Sequence, residues 1–420
     1  MHPALRTLKN PNYRTFFIGQ FVSIVGTWLQ TIATSWLVYK LTGSAFLLAL
    51  TAGAQQLPVL LFAPVAGVWA DRLDRRRMLI ITQALSAAQA GLLAILTFLG
   101  WIQVWHLVSL ALLLGTINAF ETSTRQAFIL DMVGDKRELP NAIALNSLLF
   151  NSARFIGPSI AGLVLAGLGE AWCFLLNSLS FVAILMAYLR IRVPPQVRTG
   201  KHQHWLNDLR EGVHYAFGFI GTQRLLILLV LLSIGSAPWQ PLMPIFASET
   251  FAGDSRTLGF LIGAVGAGAL LGTVFLALRS SLRGLGRVVA FTTLLAGAAL
   301  TLFALSYHLW LSVFLLGIFG FGLIATVAAT NTLLQTIADE DKRGRVVSLY
   351  VMCFLGMSPI GNFLAGSLAE TIGAHNALLC CGLLICGTAL WFARGLPVWR
   401  EAVRLAHASQ EVVTQLPAKS

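Results

Sequence analysis

Three charged side chains fall where the surrounding sequence is apolar: Glu121, Arg125 four residues later, and Arg154. Residues four apart share a helical face, so Glu121 and Arg125 can pair. Lost solvation would raise the pKa of such a carboxylate and the neighbouring cation would lower it, so a change of surroundings could load or release a proton. The same pair serves equally well as a permanent structural ion pair. Arg154 lies more than two turns inside an apolar run. A charge at that depth in lipid normally faces a cavity or a partner. It reads either as a ligand for an anionic or polar group, exchanging between a bound molecule and a carboxylate, or as a packing residue satisfied by backbone carbonyls.

Uncharged polar residues form a second pattern. Gln20, Ser23, Thr27, Gln30 and Thr34 recur at intervals of three and four, which puts them on one helical face. In an apolar helix such a stripe implies a wet cavity or helix–helix hydrogen bonds, and the cavity is the expectation here. Gln55, Gln56, Asn118, Asn151, Trp239, Gln240, Asn331 and Asn362 are further candidates for its lining, with Trp28, Trp36 and Phe120 as aromatic contacts. A mostly uncharged, aromatic lining suits bulky amphipathic compounds better than sugars or small ions.

The elements that must hold these residues are membrane spans. Of 420 residues, 56% are hydrophobic and only 11% charged, against about 25% charged in soluble domains; mean hydropathy is +0.76. A span takes about 20 apolar residues, and the chain divides into twelve, at about 14–39, 45–69, 78–99, 104–125, 141–167, 171–190, 223–249, 257–278, 287–306, 309–331, 345–369 and 375–393. Connections after even-numbered spans are basic; those after odd-numbered spans are short and carry only Lys40 and Arg256. The positive-inside rule therefore predicts a multi-pass protein of the inner (plasma) membrane with both termini cytoplasmic. The net charge of +12 is thereby assigned to the membrane surface, and no nucleic-acid partner is expected.

The expected domains are an N-terminal bundle, 1–192; a linker, 193–222; a C-terminal bundle, 223–395; and a cytoplasmic tail, 396–420. Trp205, Leu209, Val213 and Phe217 make the linker amphipathic, as in a helix lying along the membrane surface. The halves echo each other: DKRELPNAIALNS (135–147) after span 4 and DEDKRGRVVSLY (339–350) after span 10. Repeated bundles with a site between them are one architecture of secondary transporters. The run Gly263, Gly266, Gly268 and Gly272 lies inside a span with no strand before it, so it reads as close helix packing. Cys173, Cys353, Cys380, Cys381 and Cys386 show neither metal spacing nor a disulfide framework. The sequence contains no phosphate-binding loop, HExxH or nucleophile motif, so an enzyme is not expected.

The loop GVWADRLDRRR, Gly67 to Arg77, resembles the helix 2–3 signature of the major facilitator superfamily. Gly67, Asp71, Arg72, Arg75 and Arg76 match it, and Asp74 departs from it by replacing the second glycine. WLVYKLTGSAF (36–46), RQAFILDMVGDKRELPNAIALNS (125–147) and RGRVVSLYVMCFLGMSPIGNFLAG (343–366) resemble the branch of the enterobactin exporter and the macrolide efflux proteins. The resemblance implies an all-α fold of twelve transmembrane helices in two six-helix bundles. It also implies a charged latch in which Asp71 holds the start of helix 11, through its amide dipoles or through Arg343 or Arg345. Gly157, Pro158 and Gly162, in GPSIAG, partly match the helix 5 motif of proton-driven antiporters. The expectation is proton-coupled export of small amphipathic molecules, drug-like or siderophore-like, by a protein functional as a monomer, with membrane lipid as its surroundings and no cofactor beyond the proton gradient. The alternatives are an exporter dedicated to one metabolite and, in another class, a membrane sensor or scaffold without turnover.

Overall fold

The computed structural model describes residues 7–133, 138–191, 218–279, 284–338 and 342–401, with backbone alone at 63, 64, 67, 68, 70–72, 130, 139, 140, 143, 144 and 343. The expected surface helix at 205–217 and most of the linker and tail lie outside these residues.

Twelve helical segments are long and apolar enough to cross a membrane, and among the described residues there is no strand. Numbered as spans, they begin with span 1 (Pro11–Thr42), span 2 (Ala45–Arg72), span 3 (Arg75–Phe98), span 4 (Val104–Val133), span 5 (Leu139–Leu168) and span 6 (Glu170–Arg190). Span 7 (Ile220–Thr250), span 8 (Ser255–Ala277), span 9 (Leu285–Ala304), span 10 (Leu309–Ile337), span 11 (Gly344–Ile372) and span 12 (Ala374–Arg394) follow. Spans 4 and 10 run well past their expected ends at 125 and 331, because the polar residues that close each apolar run continue as helix.

The helix ends are set locally. Asn10, Ser44, Asp74 and Asp254 each accept backbone N–H groups as N-caps of spans 1, 2, 3 and 8, which satisfies donors that the first turn leaves free. Asp74 thus has a structural use: it takes Arg77 N–H at 2.9 Å and restarts the helix directly after the loop. Gly169 and Gly373, at φ 86° and 87°, turn the chain in one residue between spans 5 and 6 and between spans 11 and 12. Only glycine adopts that backbone readily, and the matching turns support the repeat seen in the sequence.

Two spans are broken, both in the second half. Span 7 divides into Ile220–Ser236, Trp239–Ile245 and a π-helical turn, Phe246–Thr250; Pro238, Pro241 and Pro244 each lack an N–H. Span 11 divides at Gly356–Met357, just before Pro359, and Ser233 Oγ of span 7 donates to the Phe354 carbonyl freed there. Pro158 interrupts nothing in span 5.

Spans 1–6 pack together as one bundle and 7–12 as another, and the main contacts between bundles are span 5 with span 8 and span 2 with span 11. Small residues make these approaches possible. Gly263 and Gly266 of span 8 meet Ser159 and Arg154 of span 5, while Gly268 and Gly272 meet Gly317 and Phe321 of span 10. One helix therefore presents glycine to two neighbours on opposite sides.

The first bundle contains a continuous chain of side-chain amides. Asn177 Nδ2 donates to Gln30 Oε1 at 2.7 Å, Gln30 Nε2 to Gln89 Oε1 at 3.1 Å, and Gln89 Nε2 to the Leu110 carbonyl at 3.1 Å. It joins spans 6, 1, 3 and 4. The expected tail also begins with structure. Residues 396–401 are helical, and Trp399 is buried, donating to the Gly221 carbonyl at 2.9 Å. The second bundle thus extends past the boundary at 395 because an indole can be buried where its N–H finds an acceptor.

Candidate functional site: the cleft between the bundles

The two bundles are pinned at the end opposite the basic loops. Tyr39 Oη donates to Glu249 Oε1 at 3.1 Å. Glu370 Oε2 accepts from Ser44 Oγ at 3.2 Å and from Phe46 N–H at 3.1 Å. Ser255 Oγ donates to the Gly162 carbonyl at 3.3 Å. Gly162 and Gly259 complete the seal: a Cβ on Gly162 would stand 2.7 Å from the Ser255 carbonyl oxygen, and one on Gly259 2.8 Å from that of Pro158. Toward the basic end the helices part among the described residues. Neither span 4 nor span 10 makes more than glancing contact with the opposite bundle among the described residues, and Ser147 and Leu148 of span 5 are exposed. Gly162→Val is expected to pry this end open. Cysteines placed across the Ser44–Glu370 seam should then label faster by several fold in the variant, and an unchanged rate would show that the packing there is slack.

The helix 5 motif aims Arg154 at the cleft. Gly157 packs against the indole of Trp28 on span 1, and Phe155, Pro158 and Gly162 pack against span 8. At about 100° per residue, Arg154 lies on the helix face between those contacts. Its side chain is exposed, while its own carbonyl lies against Gly266 of span 8 and Gly157, one turn on, lies against Trp28 of span 1. That combination describes the wall of an open cleft rather than a lipid-facing surface. Among the described residues it has no hydrogen-bond or ion-pair partner.

A polar pocket of about 90 Å³ lies between spans 1, 2 and 7, nearer the sealed end. Thr31, Thr34, Thr51, Gln55, Gln56 and Gln240 contribute its polar groups, and none is charged. The expected stripe on span 1 splits here. Thr34 lines the pocket and Thr27 is half-buried, but Gln20, Ser23 and Gln30 do not line the cleft. They are at most 5% exposed; Gln30 belongs to the amide chain, and Gly19 and Gly26, on the same side, meet span 6. The stripe is wide enough for one edge to face neighbouring helices while the other faces the pocket.

Asn362 is likewise displaced from its expected role. It is fully buried, because the neighbouring Gly361 lies against the backbone of span 7 at Ile234. Asn118, Asn151, Trp239 and Asn331 are half-buried; Trp239 meets Phe319 edge to face at 5.9 Å, and Asn331 accepts from Gln335. Phe120 stacks with Phe62 and contacts Trp69.

The Glu121–Arg125 pair lies inside the first bundle. Arg125 Nε donates to Glu121 Oε1 at 2.8 Å, and its guanidinium carbon lies 4.7 Å from the centroid of the Phe150 ring. Both residues are under 10% exposed.

In the helix 2–3 motif, one nitrogen of Arg75 contacts both oxygens of Asp131 on span 4, at 2.9 and 3.0 Å. Arg76 donates to the carbonyls of Tyr188 and Leu189 at 2.8 and 2.7 Å, where the end of span 6 has free acceptors and negative dipole. These arginines fasten the loop to its own bundle. The side chains of Asp71, Arg72 and Arg343, on which the expected latch rests, lie outside the described set, and Gly67 is described by its backbone alone. Asp131, Glu249 and Glu370 are partners that the sequence analysis did not single out. The usable signal was that each is a carboxylate at the end of a span whose neighbouring span end offers a donor.

Two six-span bundles with a polar cleft between them, sealed at one end, define a membrane transporter rather than an enzyme. The transmembrane secretion effector family matches residues 3–418, and the chain belongs to that family of the major facilitator superfamily. It is 26% identical over 386 residues to the staphyloferrin A transporter of Staphylococcus aureus, covering 90% of this chain and 94% of that one. It is 27% identical over 367 residues to the multidrug efflux pump Tap of Mycolicibacterium fortuitum, covering 85% and 89%. Among solved structures, the nucleoside transporter NupG matches with a TM-score of 0.71 at 13% identity, over 91% of this chain and 98% of that one. A bacterial homologue of ferroportin in an inward-facing state matches with a TM-score of 0.66 at 17% identity, over 91% and 98%. These structures share the fold. The sequence relatives support export.

Proposed function

We propose that the protein is a proton-coupled exporter that carries small amphipathic molecules out of the cell by alternating access. The observation that carries this reading is the cleft: Arg154 on its wall, the far end sealed by hydrogen bonds between the bundles, the basic end parted. With the basic loops cytoplasmic, the observed state is open to the cytoplasm, as an exporter must be to take up cargo. Both termini then lie inside, in the inner membrane. Turning the bundles about the cleft would break the far-end hydrogen bonds and close the basic end, where the helix 2–3 motif lies.

Glu121 is the acid proposed to carry the proton. Its partner Arg125 rests on Phe150 of span 5, the helix that also bears Arg154, so movement of span 5 can alter the pairing. Cargo of drug-like or siderophore-like character is supported by relatives named for multidrug efflux and for staphyloferrin A transport. A single chain supplies both bundles and the whole cleft, which suits a functional monomer.

The test is export of a lipophilic dye from loaded proteoliposomes under an imposed pH gradient. Transport is expected to follow the gradient and to stop when an uncoupler collapses it. Export unaffected by the uncoupler would rule out proton antiport.

A further inference from the structure

Resting on the export reading above, we infer that the cargo is an elongated amphipathic anion. Its carboxylate, phosphate or sulfonate group sits at Arg154, and its hydroxyl or amide groups reach the pocket between spans 1, 2 and 7.

The charge argument comes first. Arg154 faces the cleft without a partner among the described residues. The described carboxylates near the membrane interior are committed elsewhere: Glu121 to Arg125 and Asp131 to Arg75. Those at the sealed end are committed too: Glu170 to Lys40, Glu249 to Tyr39, and Glu370 to the start of span 2. Water in the open cleft solvates the guanidinium. When the basic end closes around cargo, that water is reduced, and a lone cation deep in the bilayer becomes costly. An anionic cargo removes the cost by pairing with it, through charge-assisted hydrogen bonds that are among the stronger ones available. A cationic cargo adds to the cost.

The second argument is the span of the site. Gly157 and Trp28 are in contact, so they mark one level in the two helices. Arg154 lies three residues toward the basic end on span 5. Thr31 and Thr34 of the pocket lie three and six residues toward the sealed end on span 1. At about 1.5 Å per residue the separation along the helices is about 9–14 Å. A small inorganic anion cannot bridge it. A molecule with an acid at one end and hydrogen-bonding groups about that far away can, with Trp28 between them offering an apolar face. Thr31 and Thr51 already donate to the Thr27 and Leu47 carbonyls, so their hydroxyl oxygens are left to accept, while the glutamine amides can donate and accept; this fits hydroxyl and amide groups and gives a second charge no counterion.

The experiment uses three probes on the full-length protein in lipid nanodiscs, titrated below their micelle concentrations with empty nanodiscs subtracted. Cholate carries a carboxylate and distant hydroxyls, its methyl ester lacks the charge, and cholanate keeps the carboxylate but lacks the hydroxyls. The wild type should bind cholate about tenfold or more tightly than the ester. Arg154→Gln should erase that preference while leaving ester affinity unchanged, which also shows that the variant is folded. Arg154→Lys should retain part of it. Gln55→Leu should weaken cholate several fold and cholanate little. Equal wild-type affinity for cholate and ester, no cholate binding, or a preference that survives Arg154→Gln would each overturn the inference. The readout needs no turnover, so it fails separately from the export assay.

Discussion

Replacing Arg125 with alanine is expected to destabilise the first bundle by about 3–5 kcal/mol, the usual penalty for leaving one member of a buried ion pair without its partner. Glu121 would remain among Phe150, Tyr188 and the helices around them with its charge uncompensated. The fall should appear as a midpoint of thermal unfolding lower by several degrees in detergent. Replacing both residues with methionine should restore most of the loss, because an apolar pair of similar volume carries no desolvation cost. Glu121→Gln separates structure from coupling. It should keep the fold while uncoupling export from the pH gradient. Gradient-driven export that survives in Glu121→Gln would remove Glu121 as the proton carrier.

The second large effect is expected at the sealed end. Glu370 reaches across the seam to the first turn of span 2, where free N–H groups and the helix dipole favour a carboxylate. It is exposed to solvent, so its two hydrogen bonds together are worth about 1 kcal/mol rather than the larger figure for buried charged groups. Glu370→Ala should therefore shift the balance toward opening of this end by about fivefold. Adding Tyr39→Phe, which removes the bond to Glu249, should carry the shift past tenfold, since the two contacts use different residues and distances between them favour additivity. Spin labels at Leu41 and Arg256, in a cysteine-free background, would report it as a second, longer distance population. A distance distribution unchanged in the double variant would show that glycine packing alone holds the seam.

Much of the fold was written in the chain's hydropathy and charge. Twelve apolar runs and a one-sided distribution of arginine specified the spans, because lipid leaves a backbone segment few alternatives to helix. The placement of Arg154 was legible for the same reason: a deep charge must face water or a partner. Which way each uncharged polar residue faced was not legible. Thr34 and Gln30 belong to one stripe, yet one lines the pocket and the other is consumed by Gln89 and Asn177. A hydrogen bond to a neighbouring helix and a view of a cleft impose the same sequence pattern. The cross-bundle roles of Glu249 and Glu370 were hidden because residues more than 200 positions apart are brought together by tertiary packing, with no local signal. The breaks in spans 7 and 11 were foreshadowed by their prolines, but proline alone did not decide the matter, since span 5 runs unbroken through Pro158.

The amide chain Asn177–Gln30–Gln89 gives the two bundles unequal mechanical characters. Four helices of the first are stitched through side chains that would have to forfeit their bonds in lipid before any helix slid. Among the described residues the second is tied pairwise instead, by Thr292 and Thr293 to Thr326, Tyr350 to the Val327 carbonyl and Ser233 to that of Phe354, and it carries both interrupted helices. The first bundle should consequently swing as a single stiff body, while the second absorbs the stroke by bending at Pro238–Pro244 and at Gly356.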